Sequence, residues 1–283
     1  MFYRISKLIC LILLIAFVFT GCEQKTEEKV VTDKPEVQTL IDFVTHALPD
    51  YAAEAIDVTG GLEAWGKTKK MEFDCVVTFY QPDGSFYLTE QHHEIQPWSN
   101  SIRISAQEPQ GKLVWQLTEG RFSVSSQDKS VDALPIVGSY RDFAEAILDL
   151  ITGPIRLSGS KARFNKSDIP IKIEGLWYYP IERVGSGGIE IGPNWDKLIF
   201  YQNRGSSLID MLWCAGVDGK TFLAVRGYHY RSIEKRGVSI PTKVEIFKTD
   251  AAGFFQQRLV NIDYHSLKST KSGEKSSDST AAY

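Results

Sequence analysis

The chain has 283 residues and a formal net charge of −3, with 32 basic and 35 acidic side chains. A slightly acidic chain offers no basic surface for phosphate, which argues against a nucleic-acid partner. Four cysteines in this length do not make a disulfide scaffold.

Arg4 and Lys7 precede an apolar run from Leu8 to Phe19. The run is too short to span a bilayer and reads as an export signal over residues 1–21. It ends in Phe19-Thr20-Gly21-Cys22, which resembles the lipobox of bacterial lipoproteins. That resemblance implies that Cys22 is acylated and becomes the new N-terminus; plain secretory cleavage would leave it a thiol. Each buried acyl methylene contributes about 0.8 kcal/mol, so more than one chain makes a stable anchor. No second apolar run has the length to cross a membrane. Residues 22–34 (CEQKTEEKVVTDK) are polar and suit a flexible tether. Glu23, where an inner-membrane lipoprotein typically has aspartate, makes the periplasmic side of the outer membrane the expected address. Loss of residues 1–21 removes Arg4 and Lys7 and no acid, leaving 30 basic and 35 acidic residues.

The main domain is expected over residues 35–265. Leu40, Ile41, Val44 and Leu48 recur at helical spacing, a second helix is expected over Tyr51 to Val58, and Gly60-Gly61 stops it. Leu62 to Lys69 adds further turns that carry Trp65, read as packing the helix end on a sheet or as a lid. The period then switches to two. Met71, Phe73, Cys75, Val77 and Phe79 share one face of a strand and Glu72, Asp74, Thr78 and Tyr80 the other.

Strands follow at Phe86–Gln96, Ser101–Ala106, Lys112–Thr118 and Arg121–Ser126. A helix is predicted over Ser139–Ile151, stopped by Gly153-Pro154. Six more strands are predicted: Ile171–Val184, Asp196–Gln202, Ser207–Ala215, Thr221–Arg231, Thr242–Lys248 and Phe254–His265. Residues 266–283 carry no apolar period and are expected to be a disordered tail. The fold class is therefore mainly β with a few helices, an antiparallel meander of about eleven strands. So long a sheet must curl, split or be covered by helices, because its apolar face cannot stay in water.

The lipobox, the leading helix, the broken meander, GVSIPTKVEIF (Gly237 to Phe247) and Gly60-Gly61-Leu62-Glu63-Ala64-Trp65 together resemble the LolA and LolB superfamily of periplasmic carriers. The resemblance implies an incomplete β-barrel covered by helices around an apolar cavity for acyl chains. It implies binding rather than catalysis, with no cofactor and no catalytic residue. The inward positions Phe73, Val77, Phe79, Leu113, Trp115, Leu117, Phe122, Leu198, Phe200 and Leu212 are the candidate ligand contacts. Periodicity alone leaves two readings of them open: a filled core, or the wall of a cavity for a lipid or a lipoprotein acyl chain. The other functional reading is a non-enzymatic envelope scaffold that binds a protein partner.

Chemistry-bearing motifs are few. In Gln91-His92-His93-Glu94 the two histidines point to opposite faces of a strand, so only His92 and Glu94 could share a metal, and both histidines read as solvent-facing. A hydrolase would need His92, Glu94 and a further polar side chain to converge. Gly185 to Gly188 reads as a hairpin tip. Cys75 and Cys214 could pair, or remain two buried thiols. Trp177-Tyr178-Tyr179 with Arg183, and Tyr228-His229-Tyr230 with Arg231, put aromatic and cationic groups together, as carbohydrate or headgroup contacts or as ordinary cross-strand pairs. Asp210 is an acid on an otherwise apolar strand face, and Arg226 is its candidate partner.

Overall fold

A computed structural model describes residues 48–108, 111–126, 139–158, 163–184 and 195–271. The export signal, Cys22, the tether, the first expected helix, Gly185 to Gly188 and residues 272–283 lie outside the described residues.

Two short helices lead, α1 (Asp50–Val58) and α2 (Gly61–Lys67). Gly60 and Gly61 separate them with φ of 117° and 83°, a backbone region that costs any residue with a Cβ. Gly60 is also pressed against another segment, since a Cβ there would lie 2.7 Å from the Gly237 carbonyl oxygen. The Ser239 amide donates to the Thr59 carbonyl at 2.9 Å, so the two motifs that carried the resemblance touch each other. Trp65 is fully buried and donates its indole N–H to Thr59 Oγ1 at 3.0 Å, in keeping with the packing role.

Among the described residues, thirteen strands form a single antiparallel sheet. The first five are β1 (Thr68–Tyr80), β2 (Phe86–Gln96), β3 (Ser101–Glu108), β4 (Gly111–Thr118) and β5 (Arg121–Ser126). After helix α3 (Tyr140–Arg156) come β6 (Arg163–Lys166), β7 (Ile171–Ile173), β8 (Leu176–Val184), β9 (Trp195–Asn203) and β10 (Ile209–Gly216). The last three are β11 (Phe222–Ser232), β12 (Ser239–Thr249) and β13 (Phe255–Lys271).

The strand order is β5-β4-β3-β2-β1-β13-β12-β11-β10-β9-β8-β6, with β7 paired to β8. The sheet is thus two meanders joined where the first strand pairs with the last, in a register from Thr68 opposite Lys271 to Phe79 opposite Val260. Its two ends, β5 and β6, do not pair, so the barrel stays open. Helix α3 is the segment that connects those two ends in the chain.

The structure differs from the sequence-based expectation at four places. The strand expected over Ile171–Val184 is a hairpin, because Glu174 and Gly175 both take positive φ (46° and 90°) and make a tight two-residue turn. Strand β6 lies outside the predicted strands, since its four residues carry no strong apolar alternation. Helix α3 does not stop at Gly153-Pro154 but runs to Arg156. Pro154 only forgoes one amide bond near the helix end, while Leu157 N–H still reaches the Gly153 carbonyl at 3.1 Å. Finally, Ser266 to Lys271, expected to lie in a disordered tail, continue β13 and pair with β1 although they lack an apolar period. Their backbone hydrogen bonds to an already formed strand replace the missing hydrophobic signal.

Candidate functional site

One face of the sheet carries an almost unbroken apolar surface. Phe73, Val77 and Phe79 from β1, Leu113, Trp115 and Leu117 from β4, Leu198 and Phe200 from β9, and Leu212 from β10 are all buried in one cluster, and Phe122 from β5 packs against its rim. All ten expected contacts therefore lie on the same side. They come from both meanders, and α3 lies between the two sets: Phe143 is 5.8 Å from the ring of Phe79 and 6.2 Å from that of Trp115, and Gly153 lies against Phe200 and Ile209. The helix begins at a Ser139 cap whose Oγ accepts from the Asp142 amide at 3.0 Å. It is buried along nearly its whole length, touching β3, β4, β10 and β11.

A polar stripe runs along α3 at positions 141, 145, 149, 152 and 156, one residue per turn. Arg141 Nη2 donates to the Gly120 carbonyl in the β4–β5 turn at 3.1 Å, and its Nε donates to Glu145 Oε1 at 3.1 Å. Arg156 pairs with Asp149 and donates to Asn100 Oδ1 in the β2–β3 turn. Trp195 of β9 donates to Asp149 Oδ2 at 3.2 Å. The stripe ties the helix to turns of the first meander and to a strand of the second. Burial, reinforced by Asp149, pushes the Glu145 carboxyl up to about 7 against the opposing pull of Arg141. Burial also raises Asp149, opposed by Arg156 and Arg183.

The histidine pair splits as its spacing requires, but not as two solvent-facing residues. His92 Nδ1 lies 2.7 Å from Asp74 Oδ1 on the outer face, while Glu94 pairs separately with Arg103 at 2.7 Å. His93 is fully buried, with Nδ1 3.1 Å from Tyr264 Oη and Nε2 2.9 Å from Gln91 Oε1. Burial depresses its pKa to about 3, so the ring stays neutral. The inward face of β2 reads Thr89, Gln91, His93, Ile95, all buried. Polar residues pointing inward defeat a reading in which polarity marks the outside. The signal available was the strand's fixed alternation, anchored by Ile95. Among the described residues no three His, Cys, Asp or Glu side chains gather to hold a metal. Cys75 and Cys214 are free, buried thiols, raised in pKa by burial.

The architecture matches that of solved structures. A LolA superfamily protein from Nitrosomonas europaea superposes with a TM-score of 0.51 at 14% identity, over 77% of this chain and 92% of that one. The fold is LolA-like. An outer membrane lipoprotein-sorting protein domain from Vibrio parahaemolyticus (TM-score 0.45, 11% identity, 80% and 96% coverage) and a DUF1329 family protein from Desulfovibrio piger (0.45, 10%, 77% and 91%) also match. No protein-family model matches the sequence, and no curated protein does. Within the LolA-like fold the apolar face and α3 form the candidate site. No helix among the described residues is long and apolar enough to cross a membrane.

Proposed function

We propose that the chain is a lipoprotein of the cell envelope, anchored through Cys22 on the periplasmic side of the outer membrane. In this reading it binds a lipid or a lipoprotein acyl chain between the apolar sheet face and α3, as a carrier or acceptor. It acts by binding, without a chemical step. The observation that carries the reading is that apolar side chains from two separate meanders face a single helix in one cluster. An acyl chain replacing α3 contacts would exchange apolar surface for apolar surface, and each methylene taken from water contributes about 0.8 kcal/mol.

The test uses the full chain isolated from membranes. Organic extracts should yield a reproducible lipid by mass spectrometry, and a pyrene-labelled fatty acid should bind saturably. Val77→Trp or Leu212→Trp, which add bulk to that face, should weaken uptake about tenfold while the protein stays folded, the equivalent of about 1.4 kcal/mol. An empty interior with no saturable uptake overturns the reading.

A second reading rests on the other face of the sheet. Trp213 stacks on Phe222 at 6.2 Å and Phe247 meets Phe255 at 4.9 Å, next to turns that expose Phe254 (71%) and Val217 (64%). Such a patch suits a scaffold that docks an envelope protein. Crosslinking from Phe254 to one reproducible envelope protein, with no lipid retained inside, would favour it.

A further inference from the structure

Four large apolar side chains gather in water on the β7–β8 hairpin and the segment before it. Ile169 (74%), Ile171, Leu176 and Trp177 (46%) are all exposed. Within the hairpin Ile171 is opposite Tyr178, Lys172 opposite Trp177 and Ile173 opposite Leu176. Opposed residues share a face and successive residues alternate, so Trp177 stands on one side of the hairpin and Ile171 and Leu176 on the other. The backbone is fixed. Glu174 in the turn pairs with Arg226 of β11, and the Trp177 carbonyl accepts from the Arg204 amide at 2.9 Å. The expected Asp210–Arg226 pair is therefore not made; Asp210 accepts from Asn203 Nδ2 at 3.0 Å and from the Tyr178 phenol.

A flat partner laid on one side of the hairpin would leave the other side wet. An apolar layer into which the hairpin dips covers both. Lys172 Nζ lies 6.0 Å from the centre of the Trp177 ring, and Lys166 Nζ 4.7 Å from that of Tyr179. Aromatic rings beside ammonium groups suit the boundary between lipid headgroups and acyl chains. Arg183, the expected cation of this motif, instead donates to the Trp195 carbonyl. Exposed Lys172 and Arg204 are matched by exposed Asp168 and Asp50, so the contact is apolar more than electrostatic.

The position of the hairpin identifies the layer. In α1 the Tyr51 carbonyl and the Glu54 carboxylate accept from Gln202 Nε2, each at 3.2 Å, and Gln202 leads into the turn whose Arg204 meets Trp177. The described chain thus enters, at Leu48, beside the hairpin. Val217 and Phe254 sit at the opposite ends of the strands, since Leu223 is opposite Lys248. Residues 23–47 separate Cys22 from Leu48. A flexible chain of about 25 residues typically spans about 25–30 Å, whereas β11 and β12, with 11 residues each, extend about 36 Å. An acyl group on Cys22 therefore acts on the hairpin end of the molecule.

We infer that the β7–β8 hairpin, with Ile169, is a second membrane contact: it dips into the bilayer that carries the Cys22 anchor and fixes the orientation of the open barrel on it. The inference rests on the lipid-anchor reading of Cys22.

The experiment uses the full chain isolated from membranes and reconstituted in vesicles of phosphatidylethanolamine with phosphatidylglycerol. The polarity-sensitive dye NBD is placed on Ile169→Cys or, at the opposite end, on Phe254→Cys. Cys75 and Cys214 are buried and do not take it. The dye at 169 should shift to the blue and be quenched by doxyl-labelled lipid, and the dye at 254 should do neither. Leu176→Ser combined with Trp177→Ser should lose that quenching with an unchanged thermal midpoint, because both side chains are exposed in the protein. Vesicles of phosphatidylcholine should give the same result. Equal quenching at both positions, quenching at 254 alone, or none at either overturns the proposal. So does a signal that requires phosphatidylglycerol, which would mark an electrostatic contact. A signal in native membranes that is absent from vesicles overturns it as well, and would mark a protein partner. A second dye on the chain marks a Cys22 thiol without its lipid and tells against the anchor alone. The same two positions are then read in Cys22→Ser with vesicles in excess, and the hairpin contact stands or falls on them.

Discussion

Trp195 and Asp149 join the strand β9 to the helix α3 by a buried hydrogen bond of 3.2 Å. Asp149 is also paired with Arg156, which reaches Asn100 in the turn between β2 and β3. Asp149 therefore links the helix to both meanders of an open sheet whose end strands never pair. Removing it takes the carboxylate from the Arg156 guanidinium, which keeps only neutral acceptors, and leaves the Trp195 indole N–H without its acceptor. Asp149→Ala should cost about 3–5 kcal/mol, and Trp195→Phe should cost less, about 1–3 kcal/mol from the bond alone. Urea unfolding measures both. A cost below about 1 kcal/mol for Asp149→Ala would mean that the stripe does not hold the helix.

Two buried groups give the stability opposite slopes with pH. His93 is depressed from 6.5 to about 3, so the unfolded chain binds the extra proton and stability falls as pH drops through that window. Glu145 is raised from 4.5 to about 7, so the folded chain holds the extra proton and stability falls as pH rises from 4.5 to 7. Between about 4.5 and 6.5 the two largely offset one another, each with a limiting slope of about 1.4 kcal/mol per pH unit. Glu145→Gln should therefore lose stability on acidification from pH 6.5 downward. His93→Gln should instead lose stability as pH rises from 4.5 to 7. Chemical denaturation across pH 3 to 8 reads both slopes, and a His93→Gln protein with the acid slope of the parent would refute the assignment.

Gly60 and Gly61 separate backbone freedom from close contact. Both have positive φ, but only Gly60 would place a Cβ against another backbone, 2.7 Å from the Gly237 oxygen; nothing lies within 4 Å of the site at Gly61. Gly61→Ala should cost about 1–2 kcal/mol for the left-handed conformation. Gly60→Ala should cost more than Gly61→Ala in the same thermal denaturation series, because the α1–α2 junction must also move off the Gly237 and Val238 backbone that leads into β12.

The lipobox reading of Cys22 predicts a change of compartment. With Cys22→Ser, metabolic labelling with radioactive palmitate should be lost and the protein should leave the membrane fraction. Retention of the variant in washed membranes would contradict a lipid anchor as the means of attachment.

Much of this architecture is legible in the chain. The alternation of Met71, Phe73, Cys75, Val77 and Phe79 defined the inner face of β1, and every one of them is buried. The same alternation placed all ten candidate contacts on one side, because a strand's period of two is local and leaves its side chains no other choice. A Ser139 or Asp142 start and the spacing of Phe143, Ala146, Ile147 and Leu150 located α3, and the cap proves to be Ser139.

What remained illegible depends on partners distant in sequence. The alternation of β2 turns His93 inward, but the Tyr264 hydroxyl that meets its ring nitrogen there comes from 171 positions away. Ser266 to Lys271 are strand because Thr68 to Asp74 present an unpaired backbone edge to them. Arg226 binds Glu174 rather than Asp210 because a two-residue turn swings Glu174 over β11. Local pattern, which follows from the stereochemistry of each residue and its neighbours, was written in the sequence. The pairing of β1 with β13, the open seam with α3 between the meanders, and the buried polar contacts were settled only in three dimensions, where a residue's surroundings are supplied by segments that no local period connects to it.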